Sequence, residues 1–126
     1  MKSVRSCAIL RNKAGDLLLQ QRDIEPEKGK WVLFGGAVEP GETEEQACRR
    51  EIKEELNYTL KTLSFFKRYD DLKAETPIFI AVEPVRLDQL NLQEGSAMNF
   101  FTLQEINTLP IGFNQKQILL DFLQRK

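Results

Sequence analysis

The chain has 126 residues, enough for one domain with a real core. Its 18 basic and 19 acidic residues leave a net charge of −1, which excludes a basic field for nucleic acid and an acidic tail. There is no histidine, so Ser-His-Asp catalysis, Cys-His catalysis and His-ligated zinc are excluded, and carboxylates must do any proton or metal chemistry.

The first predicted element is a buried strand from Val4 to Leu10. A turn through Asn12, Gly15 and Asp16 leads to a second strand from Leu17 to Gln21, so the two are expected to pair as a hairpin. A polar loop from Glu25 to Lys30 carries Pro26 and Gly29. It precedes a short apolar strand from Trp31 to Phe34, with Trp31 expected in the core. Gly35 and Gly36 follow as a pair suited to a tight turn. Pro40-Gly41 is a turn pair, and Thr43 with Gln46 reads as a capping box. Glu44 and Glu45 then fall where the helix dipole favours negative charge. Ala47, Ile52 and Leu56 make a narrow apolar stripe beside Cys48, and Asn57 tolerates the left-handed geometry that ends helices. These signals predict a helix from about Glu44 to about Leu56.

Beyond it, Leu60 to Tyr69 and Thr76 to Val85 read as strands, with Glu83 as an exposed edge residue. Met98 to Thr102 is another short strand. Thr102 and Glu105 form a second capping box, for a brief helix ending before Pro110. Asn114 and Gln117 read as a third, opening a C-terminal helix whose apolar face is Ile118, Leu119, Phe122 and Leu123. Strands first and helices at intervals predict an α/β sandwich with a mixed β-sheet, as a single domain over 1–126.

The longest uninterrupted apolar run, Ile78 to Val82, is far short of a membrane span, and the N-terminal residues lack the long apolar stretch of a signal peptide. Cys7 and Cys48 form no C-x-x-C pair and suggest no disulfide framework. A cytoplasmic protein is expected, with no membrane and no nucleic-acid partner.

The informative stretch is GAVEPGETEEQACRREIKEELNY, residues 36–58. Glu51, Glu54 and Glu55 lie three and four residues apart, on one face of the predicted helix. Like charges at that spacing repel, by roughly 0.2–0.5 kcal/mol per pair in an isolated helix. Taken alone, acids on an exposed helix with Arg50 and Lys53 nearby form a solvated face. A hard divalent cation would instead turn the repulsion into coordination, since such ions take oxygen ligands.

The pattern resembles the Nudix hydrolase signature, G-x5-E-x7-R-E-U-x-E-E-x-G-U, in which U is a bulky aliphatic residue. Gly36, Glu42, Arg50, Glu51, Ile52, Glu54 and Glu55 match it. Asn57 and Tyr58 stand where the family has Gly and an aliphatic residue, at the helix exit rather than among the acids. The resemblance implies a Nudix-type α/β/α sandwich with a mixed sheet between helices. It implies Mg²⁺ or Mn²⁺ as cofactor, with Glu54 and Glu55 as ligands and Glu51 as a ligand or base. It further implies the Gly35 carbonyl as a metal ligand, Glu42 as a nearby oxygen donor, and Arg50 as the group that orients a carboxylate through a bidentate fork.

Family members commonly carry an acid late in the chain that completes the metal shell; here Glu94 is the candidate, with Asn99 behind it. Arg22, at the end of the second strand, is either a solvated Arg or a phosphate contact. Asn114 serves as a helix N-cap, or reads a base as its segment does in the family's housecleaning triphosphatases. Gly36 is expected at the substrate with Arg22, Glu42 and Asn114.

The implied activity is hydrolysis of a phosphoanhydride in a nucleoside diphosphate linked to a group X, best a nucleoside triphosphate giving monophosphate and pyrophosphate. A nucleotide-sugar hydrolase is the next choice. A catalytically silent nucleotide-sensing module is a rival, and the intact acids argue against it. A diphosphate isomerase of the same superfamily would use His, which is absent. The partner is a small nucleotide, and the resemblance allows a homodimer.

Overall fold

The structure is a computed structural model that describes residues 2–70, 73–93 and 95–125. Strands β1 (Ser3–Ile9), β4 (Phe34–Ala37), β5 (Leu63–Asp70) and β6 (Ala74–Ala81) form one sheet in the order β4-β1-β6-β5. Within it β1 runs parallel to β6 and antiparallel to β4, so the sheet is mixed as expected. Strands β2 (Leu17–Gln21), β3 (Trp31–Val32) and β7 (Ala97–Phe101) form a second, antiparallel sheet in the order β3-β2-β7. The helices are α1 (Glu44–Leu56), α2 (Leu103–Thr108) and α3 (Lys116–Gln124).

The buried end of β1 shows why it carries an unbroken apolar run rather than an alternating one. Ala8 and Leu10 pack with Cys48, Ile52 and Leu56 of α1, while Cys7 and Ile9 pack with Ile118, Leu119 and Phe122 of α3. Successive side chains leave a strand on opposite faces, and here both faces are covered. The result is the helix–sheet–helix layering that the Nudix resemblance implied.

Helix α1 keeps its predicted bounds. The Thr43 side chain accepts from the Gln46 N–H and the Gln46 side chain accepts from the Thr43 N–H, while Asn57 closes the helix at φ 50° and ψ 40°. The Thr102–Glu105 capping box of α2 also forms.

Five expectations are corrected. The turn at Asn12–Asp16 closes, with Asp16 N–H donating to Asn12 Oδ1 at 2.9 Å, but β1 and β2 separate beyond it into different sheets. Their hairpin ends at the Arg11–Leu17 bridge and the bond from Leu18 N–H to Leu10 C=O. Gly35 and Gly36 are strand residues of β4, paired with Cys7 and Ser6, not a turn. Trp31 is half-buried and meets Phe101 edge-on at 4.8 Å rather than lying in the core. The third capping box is absent: Asn114 is left-handed at φ 57°, α3 starts at Lys116, and Gln117 donates instead to Asp121. Glu83 is half-buried rather than exposed, accepting from the Thr62 N–H and hydroxyl.

One residue separates β3 from β4. Leu33 is where the chain leaves one sheet for the other, so neither ladder pairs its N–H. A buried N–H without a partner is costly, and the side chain of Gln115 supplies one, its Oε1 accepting at 2.7 Å.

Gly35 is required by the closeness of β4 to β1. A Cβ there would sit 2.3 Å from the Ser6 carbonyl oxygen and 2.6 Å from Cys7 Cα, both backbone atoms that cannot swing aside. Gly35→Ala is expected to destabilise the fold by about 1–3 kcal/mol through overpacking. A denaturant titration checks this, and an unchanged midpoint would mean that the strands can part at no cost.

Candidate functional site

Helix α1 presents its acids toward β4, and Arg50 organises them. Its guanidinium grips Glu42 with a two-pronged fork, Nε to Oε2 at 2.6 Å and Nη2 to Oε1 at 3.0 Å. Nη2 also donates to the Ala37 carbonyl at 2.9 Å. Nη1 donates to Glu51 at 2.9 Å and more weakly to Glu54 at 3.4 Å, and Glu39 lies 3.1 Å from Nε. The hydrogen bonds that Arg50 donates, to Glu42 first and then to Glu51 and Glu54, raise its pKa and keep it charged. A lysine has one point charge and no planar fork, so it could not reproduce this pattern.

Glu55 is the buried acid of the group, 5 % exposed. Its Oε1 accepts from the Gly35 N–H at 3.0 Å and its Oε2 from Gln20 Nε2 at 3.1 Å. Gln20 was not singled out from the sequence. Its signal was a polar residue continuing the buried run Leu17-Leu18-Leu19, where an amide survives only with a partner. Glu51 lies against Gly36, where a Cβ would come within 2.3 Å of its carboxyl carbon. Glycine at 36 is thus the space in which the Glu51 carboxylate sits.

Glu51, Glu54 and Glu55 share the wall of one cavity of about 360 Å³ with Gly35 and Gly36. Among the described residues no three His, Cys, Asp or Glu side chains form a ready metal cluster. Arg50 accounts for this, since it draws Glu42, Glu51 and Glu54 to its own hydrogens. In kind the donors fit a hard dication: carboxylate oxygens along one wall, beside backbone made approachable by two glycines.

The remaining sequence candidates divide. Arg22 reaches the cavity, but its Nε donates to the Pro26 carbonyl at 2.8 Å and its guanidinium stacks 4.8 Å over Phe113. Asn114 lines a second cavity of about 480 Å³ and not the acidic one. Asn99 lies on β7 with its Oδ1 accepting from the next N–H, away from the acids. Glu94 lies outside the described residues.

Two wall residues carried no signal of their own in the sequence, Arg5 and Cys7, and both line the two cavities at once. The Arg5 side chain has no hydrogen-bond or ion-pair partner among the described residues, which leaves a cation on the rim. Burial pushes the Cys7 thiol up to about 12; Arg5 opposes the shift, and Glu55 and Glu51 add to it. A thiol that stays neutral is no nucleophile at ordinary pH, so the cavity's chemistry belongs to its carboxylates.

A NUDIX domain family model matches residues 1–122. The chain is 40 % identical over 75 residues to a nucleoside triphosphatase NudI from Enterobacter sp., covering 56 % of this chain and 52 % of that protein. It thus spans about half the length of the curated relatives it matches. Its fold matches the crystal structure of a MutT NUDIX hydrolase from Burkholderia pseudomallei, with TM-score 0.80, 26 % identity, and coverage of 96 % of this chain and 97 % of that one. It also matches the NUDIX domain of Shewanella oneidensis NrtR, solved with ADP ribose, at TM-score 0.83 and 20 % identity, covering 99 % and 88 %. No helix among the described residues is long and apolar enough to cross a membrane.

The Arg50 fork holds the Glu42 carboxyl below its ordinary value of 4.5, with the Glu39 N–H adding to the effect. A depressed carboxyl contributes stability that is full above the unfolded value and is lost as pH falls through the folded one. The stability gap between the protein and Glu42→Gln should therefore be widest above pH 4.5 and close on acidification below it. Denaturant midpoints across that range read the gap; a constant difference would show that the Glu42 charge contributes nothing.

Proposed function

The chain belongs to the NUDIX domain family, and on that footing we propose that it is a Mg²⁺- or Mn²⁺-dependent hydrolase of nucleoside diphosphates linked to a further group, acting best on a nucleoside triphosphate to give the monophosphate and pyrophosphate. The observation that carries this reading is the shared wall of Glu51, Glu54 and Glu55 in one cavity with Gly35 and Gly36. The name of the curated relatives, nucleoside triphosphatase, supports the choice of substrate.

Glu51, Glu54 and Glu55 would hold the ion, with the Gly35 carbonyl beside them; Glu94 is proposed as the acid that completes the set. When bound, the dication supplies charge neutralisation at phosphate oxygens and lowers the pKa of water. The chain's own residues do the rest. One carboxylate of the group takes the proton from the attacking water as its oxygen bonds to phosphorus and the anhydride P–O bond breaks. Arg50 fixes the rotamers of Glu51 and Glu54 from behind. Gly36 lets the Glu51 carboxylate lie close to the strand. Arg5 and Arg22 offer positive charge on the cavity wall for the polyphosphate, and Arg5 is the better placed because no described residue holds its side chain. Such positioning and charge stabilisation supply most of the catalysis in phosphoryl-type transfer.

Every residue this reading uses comes from one chain, so it requires no homodimer. We place the protein in the cytoplasm, on the support of two free, buried thiols.

A panel of nucleoside triphosphates and nucleotide sugars with Mg²⁺ tests the reading. Pyrophosphate should appear from a triphosphate and vanish with a chelator; release from nucleotide sugars alone would replace the substrate class. Glu54→Gln and Glu55→Gln should each cut turnover at least ~100-fold with the circular dichroism spectrum unchanged. Full activity in both variants would remove them from the site.

A further inference from the structure

Beside the acidic cavity lies the second one, of about 480 Å³, and the two share Arg5, Cys7, Phe113 and Gln115 as a common wall. Its further lining includes Pro26, Ile118 and Asn114. A ligand with a polyanionic end and a flat, mostly apolar end would lay the first beside Arg5 and Arg22 in the acidic cavity, where the acids hold the dication, and the second here. Phe113, 38 % exposed, offers an aromatic surface at the junction.

Gln115 is the polar group in this wall whose orientation is determined. It is 7 % exposed. Its Oε1 accepts from Leu33 N–H at 2.7 Å, and only the oxygen end of an amide can accept, so the side chain cannot flip. The side chain makes no other hydrogen bond among the described residues. Its nitrogen is not sealed away, since among the described residues no buried side-chain nitrogen or oxygen is left without a partner. The free end of Gln115 is therefore an NH₂ group, a donor only, at a residue that both cavities touch. Asn114, by contrast, is exposed, and an amide that can rotate presents donor or acceptor alike.

We propose that Gln115, and not Asn114, sets the choice of base, by donating its amide hydrogens to a ring carbonyl. The class selected is nucleotides that carry an oxo group at the ring position where adenine or cytosine carries an amino group. An amino group there would set donor against donor and leave the NH₂ of this buried residue without a partner once the ligand covers it, which is the kind of mismatch that binding sites reject most strongly. The selection rests on the nucleotide-binding part of the reading above, but not on its catalytic part. The device follows from topology: the sheet crossover at Leu33 leaves one N–H unpaired, its acceptor has to be Gln115, and the far end of that amide is thereby aimed.

The test uses two matched pairs, inosine against adenosine and uridine against cytidine nucleotides, which differ at the oxo or amino position and the adjacent ring nitrogen. Hydrolysis of the triphosphates with Mg²⁺ gives kcat/KM, and calorimetry of the four monophosphates without metal gives binding alone. In the ring class it handles better, the protein should favour the oxo member at least ~10-fold in both measurements. Gln115→Glu keeps an acceptor for Leu33 N–H and turns the free end into an acceptor, so the preference should disappear or invert. Hydrolysis without an oxo preference overturns this inference and leaves the proposed function standing. Oxo-selective binding without hydrolysis does the reverse. A preference that survives in folded Gln115→Glu also overturns it, and if that variant does not fold, the binding comparison on the unaltered protein decides.

Discussion

Negative charge crowded on one helix face is the constraint around which this structure is arranged. Glu51, Glu54 and Glu55 fall within a little over one turn of α1, and Glu42 and Glu39 approach from the preceding loop. An isolated helix would be weakened by such crowding. Here the planar guanidinium of Arg50 meets four of these carboxylates and the Ala37 carbonyl, and so ties the loop to the helix. The charges that burden the helix thereby hold the helix and the strand edge in one geometry. That is also the condition for gripping a cation, since ligands fixed from behind need not be ordered when the ion arrives.

The second device is absence of side chain. At Gly35 the missing Cβ lets β4 lie against β1, and at Gly36 it makes room for the Glu51 carboxylate. Glu55 then reaches across to the Gly35 N–H, so one acid is anchored to the strand while its neighbours answer to Arg50. Three acids close in sequence thus stand in three different environments: Glu55 buried and doubly hydrogen-bonded, Glu51 half-buried beside a glycine, and Glu54 exposed. Within a single cavity three neighbouring carboxylates thus differ in burial and in hydrogen-bond partners.

The change of sheet at Leu33 connects the fold to the wall between the two cavities. Two sheets that share a core must pass the chain between them, and the residue at the passage loses its ladder partner. Gln115 answers that need from the far end of the chain, 82 residues away in sequence. Because it does, α3 begins at Lys116 with no side-chain cap, and Phe113 and Asn114 take left-handed backbone to bring Gln115 inward. A packing requirement has placed a polar side chain between two cavities.

The sequence alone determined whatever depends on short range. Helix α1 with both its caps, the Thr102 capping box, the positions of the strands to within a few residues and the register of the acids were all legible. Each follows from hydrogen bonds between residues three or four apart, or from apolar periodicity. Tertiary structure decided the rest. Asn12 to Leu18 has the local chemistry of a hairpin, yet β1 and β2 part because each finds longer partners elsewhere. Asn114 and Gln117 have the spacing of a capping box, but a buried N–H at Leu33 outweighs an exposed cap. The parts of Gln20, Arg5 and Gln115 were invisible for the same reason: a side chain's role is set by what the fold brings against it, and pairings across dozens of residues leave no mark in local pattern.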